Sequence, residues 1–295
     1  MQLNECIKIY LDSLKATSSP GNYDFVQSNL AMVKSFFDKN GYSLTTEVKL
    51  FTMYEIIDHF KKRGNISNSI NKKIGCLKRM LKHSNISIPG VTDFPKISFK
   101  RQSFHVLNDI ELQKACAYFS ALTKTPHNLT KSLLFWIFLY TGARLSEVLN
   151  IRINDVDFES HSIYLTHTKT NEPRTVFFNS RIDDDLKFYI YLKQRDLLFW
   201  NFKGNYDRPL NQDNVEGIFE NAKKHLKFDK FSPHVLRHTM ATLLVEQDAP
   251  INSIKEILGH RSLITTQIYL HMSIRKLKTD YDKYFPDMVN QNDKS

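Results

Sequence analysis

Six side chains between residues 144 and 269 are of the types that phosphoryl transfer requires: Arg144, Lys169, His234, Arg237, His260 and Tyr269. Cleaving a phosphodiester takes an attacking oxygen, positive charge around the developing phosphorane and a proton for the departing oxygen. Arginine suits the second task, because its planar fork grips two phosphate oxygens and stays protonated. Lysine serves as a point-charge contact or a proton donor. An unaided phenol, with a pKa of about 10, attacks weakly at neutral pH. Nearby cations lower that pKa and stabilise charge on the phosphate, so a nucleophilic tyrosine needs the rest of the set around it. The chain has 13 tyrosines, and Tyr269 stands out only by its place nine residues after His260.

Local sequence says how these groups are held. Arg144 follows the Thr141-Gly142-Ala143 interruption at the start of a helix, where its side chain and free backbone N–H groups are expected to face one anion. His234 and Arg237 are three apart and share a helical face, with Ser232 as the cap and Pro233 in the first turn. His238 falls off that line and reads as a packing or supporting residue. Gly259 ends the helix containing Ile254, Ile257 and Leu258, which sets His260 at a defined corner. Lys169 sits at or beside the turn of a β-hairpin whose arms are Ile163 to Leu165 and Thr175 to Phe178. Ile268 and Leu270 flank Tyr269, so a core tyrosine is the plain alternative for that position. Taken singly, each residue is ordinary.

The elements fall into two modules. Residues 1–87 carry four runs of apolar residues at helical spacing, centred on Ile7, Leu30, Ile56 and Leu77, and form a small helical domain. Residues 88–104 hold Pro89-Gly90, Pro95 and several basic residues with little periodicity, and read as a linker. The second module, 105–295, opens at Asn108 with Glu111 three positions on, a capping box. Leu133 through Tyr140 form a core helix, and from Leu186 the pattern is mostly helical to about Tyr284. The expected class is therefore mainly α with a small β-sheet.

Composition narrows the partner. Residues 1–100 contain 15 Lys/Arg against 8 Asp/Glu, while the remaining 195 residues contain 26 against 23, so the net charge of +10 is concentrated in the first third. A polyanion would be attracted to such a surface. No apolar run approaches a membrane span, and the N-terminus lacks the pattern of a secretory signal. Cys6, Cys76 and Cys116 are widely spaced and odd in number, which fits reduced cysteines in a cytoplasmic protein and argues against a zinc site.

Four ordered segments carry a resemblance. Thr141-Gly142-Ala143-Arg144-Leu145-Ser146-Glu147-Val148-Leu149 resembles the first arginine box of the tyrosine recombinase, or phage integrase, family. Lys169 matches the family lysine, His234-Val235-Leu236-Arg237-His238-Thr239 the His-x-x-Arg box, and Leu258-Gly259-His260 with Thr266 to His271 the closing segment. The resemblance spans roughly residues 105–285. It implies a helical SAM-like core-binding domain followed by a mixed α/β catalytic domain, together clamping double-stranded DNA. Arg144, Arg237 and His260 would hold the scissile phosphate, His234 would assist proton transfer from the tyrosine or stabilise the phosphorane, and Lys169 would protonate the 5′ oxygen. Tyr269 would form a 3′-phosphotyrosine link, with Glu147 and His238 in support. Neither cofactor nor metal is implied. A monomer that becomes a homotetramer on paired sites is expected, with residues 272–285 docking on a neighbouring protomer, location at the nucleoid when bound, and DNA-bending accessory proteins as possible partners. Many relatives have glycine near Val245 to Asp248, where Asp248 would take the left-handed turn. A tyrosine topoisomerase of the 3′-linked type and a DNA-binding regulator without chemistry are the competing readings.

Overall fold

The computed structural model describes residues 1–98, 104–166, 172–192, 195–201 and 208–270. The chain divides into two compact units, Met1–Gln102 and Ser103–Ser295. The first contains α1 (Leu3–Thr17), α2 (Pro20–Lys39), α3 (Leu50–Lys62) and α4 (Ser67–His83). Each helix buries one stripe at three-to-four-residue spacing: Leu3, Ile7 and Tyr10; Val26, Leu30, Val33 and Phe37; Met53, Ile56 and Phe60; Ile70, Ile74, Leu77 and Leu81. Pro20 occupies the first turn of α2, where its missing N–H costs nothing.

Among the described residues one charged group lies inside this unit. Lys73 is buried, yet its ammonium donates to Asn65 Oδ1 at 3.1 Å and Ser69 Oγ at 2.9 Å and lies 5.0 Å from the centre of the Phe60 ring. Burial lowers its pKa. The proline-containing stretch after α4 is anchored along its first part. Val91 and Phe94 are buried in the helical core, and Asn71 exchanges two hydrogen bonds with the backbone of Ile97, each 2.9 Å. Spacing gave no sign of this, because scattered apolar residues between prolines have no period.

In the second unit, α5 (Asp109–Ser120) is followed by α6 (Pro126–Thr141), the helix whose Leu133 to Leu139 run is buried on every side. The short α7 (Leu145–Leu149) leads to β1 (Val156–Asp157), β2 (Ser162–Leu165) and β3 (Arg174–Phe177). These make an antiparallel sheet in the order β1-β2-β3, with Ile163 opposite Val176 and Leu165 opposite Arg174. Ile163, Leu165 and Val176 point inward, while Tyr164 is exposed. The hairpin is the one expected; the two-residue β1 is too short to leave an alternation. Then come α8 (Asp183–Leu192), α9 (Gln212–Leu226), α10 (Pro233–Glu246), α11 (Ile251–Leu258) and α12 (Leu263–Leu270). Helix α10 packs along α6, so the most apolar helix of the chain supports the one that carries His234 and Arg237. None of the described helices is long and apolar enough to cross a membrane.

The Asn108 capping box is present. The side chain of Asn108 accepts from the Glu111 N–H at 2.9 Å, and Glu111 accepts from the Asn108 N–H at 3.0 Å. An Asn108→Ala substitution is expected to lower the unfolding free energy by about 1 kcal/mol, and Asn108→Asp by much less. Urea unfolding followed by circular dichroism checks both.

Candidate active site

The site gathers at the C-terminal end of α11. The last carbonyls of a helix lack intrahelical partners and carry partial negative charge. Here three successive carbonyls each meet a different arginine. Arg174 Nε donates to Ile257 O at 2.8 Å, Arg237 Nη2 to Leu258 O at 2.7 Å, and Arg144 Nη2 to Gly259 O at 3.1 Å. Arg237 also donates through Nη1 to Gly142 O, the residue that caps α6. Both capping glycines are left-handed, with φ of 57° at Gly142 and 63° at Gly259. A Cβ at Gly259 would come within 2.9 Å of the Arg174 guanidinium, and one at Gly142 within 2.5 Å of Met240 Cε. Glycine is required at both for shape as well as for backbone freedom.

Three guanidinium groups this close repel one another, and Glu147 is the compensating charge. Its side chain has no exposed surface. It accepts from Arg174 Nη1 and Nη2 at 2.9 and 2.8 Å, from Arg144 Nη1 at 2.9 Å and from the Arg144 backbone N–H at 2.7 Å. Burial disfavours its ionisation, but the arginine and backbone donors override that and hold its pKa down at about 2. Of the N–H groups expected to face an anion at the start of α7, that of Arg144 is occupied by Glu147. A one-turn helix has its first N–H groups within reach of its own carboxylate, and the capping box wins.

Arg174 is the residue that the motifs missed. One signal was available: it precedes Val176 by two in the same strand and so shares its inward face, where a cation needs a buried partner. Burial and the neighbouring Arg144 lower the pKa of Arg237 to about 10, so it remains charged near neutrality.

Tyr269 is buried, at 1% exposure, in a small cluster with Met240, Ala241, Val245, Ile254 and Leu258. The ring is thus held as a core tyrosine would be, while its hydroxyl reaches a polar group: Oη lies 2.9 Å from His238 Nδ1. Burial raises the phenol pKa, and Arg237 and Arg144 pull against it. His260 stacks on the same ring at 6.3 Å between centroids, and its Nδ1 lies 2.9 Å from Thr266 Oγ1. His238, read from the sequence as a packing or supporting residue, makes this contact because the turn of α10 that carries it faces α12. His234, one turn earlier, is exposed. The pKa values of His238 and His260 are lowered to about 4, mainly through burial and then through neighbouring imidazole and guanidinium groups. Ser232 Oγ accepts from the Val235 N–H at 3.3 Å, the expected cap of α10. Asp248 has φ of 60°, the left-handed turn anticipated for it.

Lys169 and residues 272–285 lie outside the described residues. Among the described residues no group of three His, Cys, Asp or Glu is arranged to hold a metal ion.

Residues 108–275 match the Phage integrase family. The chain is a member of that family. It is a tyrosine recombinase, an enzyme that breaks and rejoins DNA at specific sites through a tyrosine. It is 27% identical over 281 residues to tyrosine recombinase XerC of Lacticaseibacillus casei, covering 91% of this chain and 93% of the relative. It is 31% identical to tyrosine recombinase XerA of Saccharolobus solfataricus, across 77% of this chain and 71% of that one. Among solved structures, its fold resembles XerH site-specific recombinase bound to palindromic difH substrate, with a TM-score of 0.73, 22% identity, and coverage of 94% of this chain and 83% of that one.

Two outcomes follow for the recombinase. Replacing Arg174 with Met leaves Glu147 short of two donors, and breaking a buried pair in this way is expected to cost about 3–5 kcal/mol; chemical denaturation measures it. For the imidazoles, the folded pKa lies below the unfolded one, so the unfolded chain takes up protons that the folded chain refuses. Stability is therefore expected to fall as pH drops from about 6.5 toward 4 and to be insensitive to these groups above that window. Melting temperature against pH, compared with a His260→Phe variant that should flatten the curve, tests the sign.

Proposed function

We propose that the recombinase acts on double-stranded DNA with Tyr269 as the nucleophile and Arg144, Arg237 and His260 as the grip on the scissile phosphate. The supporting observation is the setting of the phenol: a buried tyrosine whose hydroxyl meets a polar residue of α10 and feels Arg237 and Arg144. Both arginines are fixed by backbone acceptors, so their charge is in place before substrate arrives, which is the condition for strong transition-state stabilisation. Glu147 positions Arg144 and does not react. His234, exposed beside this cluster, is free to meet the phosphorane, and Lys169 supplies the proton for the 5′ oxygen.

Attack by Tyr269 leaves a 3′-phosphotyrosine ester and a free 5′ hydroxyl. The ester keeps the energy of the broken bond, so attack by the 5′ hydroxyl of a second strand rejoins the backbone without a nucleotide cofactor. Exchange between two duplexes calls for four protomers in a synapse. The helical unit of residues 1–87, with the catalytic domain beginning near residue 105, is the core-binding domain in this reading. The excess charge of residues 1–100 favours that role, as does the solved XerH complex, described as bound to its difH substrate after cleavage.

The test is covalent capture on a library of duplexes. Wild type is expected to yield a protein–DNA adduct on a subset of sequences, Tyr269→Phe to bind the same duplexes and yield none. Arg144→Ala and Arg237→Ala should bind within about tenfold of wild type but cleave about 10²–10³-fold more slowly, as loss of a preorganised donor does elsewhere. An adduct mapped by mass spectrometry to another side chain would overturn the assignment.

A further inference from the structure

His238 Nδ1 and Tyr269 Oη are 2.9 Å apart, and the surroundings of the phenol argue for one direction of that hydrogen bond. Arg237, whose charge pulls the phenol pKa down, can only donate and spends its two terminal nitrogens on Gly142 O and Leu258 O, so it offers the phenol no acceptor. The phenolic O–H requires an acceptor because Tyr269 is buried among apolar side chains. Among the described residues Nδ1 of His238 is the acceptor within hydrogen-bond distance. That nitrogen must therefore carry a lone pair, with the ring proton on Nε2.

The ring is held for this contact. It lies between Phe104, 4.4 Å away by centroids, and Tyr269, 5.6 Å away. Leu107 N–H donates at 3.0 Å to Oγ1 of Thr239, the next residue of α10, pinning the strand of chain that presents Phe104. His234, by contrast, makes no hydrogen bond to the phenol among the described residues; it sits one helical turn earlier and faces outward.

We propose that His238 is the group that takes the proton of Tyr269 when the tyrosine attacks, which leaves His234 to the phosphorane. The inference rests on Tyr269 being the nucleophile. As the P–O bond to Oη forms, the Oη–H bond breaks and its proton moves to the Nδ1 lone pair. The bond from phosphorus to the 5′ oxygen breaks with its electron pair, and that oxygen takes a proton from a separate donor, Lys169 in the function proposed above. Rejoining runs the same steps backward, with imidazolium Nδ1–H returning the proton to the phenolate.

The titrating groups around His238 set when this works. Burial is the main influence that disfavours its protonation, His234 and Arg237 of its own helix add to it, and its charge is also felt by His260 beyond α11. Without substrate the imidazole thus stays neutral and available as an acceptor. An incoming phosphate anion offsets the Arg144 and Arg237 charges and makes proton uptake easier at the moment it is needed.

The experiment uses a duplex that yields the wild-type adduct, prepared with either the normal 5′ oxygen or a bridging 5′ sulfur at the scissile position. Sulfur departs without protonation, so it rescues a missing acid but not a missing base. His238→Asn keeps an acceptor near the Nδ1 position without a usable base. It is expected to form adduct at least about 100-fold more slowly on both duplexes, with a rate that climbs with pH from about 7 to 9 where wild type is flat. Lys169→Ala should be slow with oxygen and restored by sulfur. A His238→Asn rate within about fivefold of wild type, or rescue by sulfur, overturns the proposal. Loss of the tyrosine assignment itself would appear separately, as adduct formation by Tyr269→Phe. Should the Asn variant fail to fold, ¹⁵N NMR of the wild-type ring nitrogens decides: Nδ1 without a proton supports the proposal and Nδ1–H overturns it.

Discussion

Everything in the catalytic unit depends on a crowd of positive charge being stable without substrate. Arg144, Arg174 and Arg237 converge on the carbonyls of Ile257, Leu258 and Gly259. Such a cluster is unfavourable unless each guanidinium finds negative charge nearby. The helix end supplies part of it, and the fully buried carboxylate of Glu147 supplies the rest by bridging Arg144 and Arg174. The same contacts leave Arg144 partly exposed, at 21% of its side chain, so one fork of the pair can still turn to an anion.

This arrangement also explains how elements far apart in sequence form one site. Helix α7 gives Glu147 and its cap gives Arg144, β3 gives Arg174, α10 gives Arg237 and His238, and the end of α11 with α12 gives His260 and Tyr269. The arginines tie these pieces to a single helix terminus. His238 and His260 then sit in a field that keeps them neutral, so they serve as hydrogen-bond partners of Tyr269 and Thr266 and add no further charge to an already crowded place.

Much of this was legible in the sequence, and the exceptions have physical reasons. The helical periods of both units, the caps at Asn108 and Ser232, the left-handed turns at Asp248 and Gly259 and the inward face of the hairpin follow from local rules, and local rules are what spacing records. The cluster of Arg144, Arg237, His260 and Tyr269 was found by type and order. Arg174 was not, because its partner Glu147 is 27 residues away and only the tertiary fold brings the two together. The contact between His238 and Tyr269 was hidden for the same reason: the angular position of a residue on α10 is readable, but which helix covers it is not. The packing of Val91 and Phe94 belongs to this class as well, since irregular backbone leaves no periodic trace of what it lies against.

The acceptors that orient Arg237 are main-chain oxygens, those of Gly142 and Leu258. A side-chain acceptor can be deleted by one codon change, whereas a carbonyl survives every substitution that leaves the chain path intact. The aim of this guanidinium is thus encoded in the trace of two helix ends, and the surrounding side chains are at liberty to diverge so long as those ends do not move. Distant descendants of one ancestor can share such a pocket when little else in their sequences still agrees.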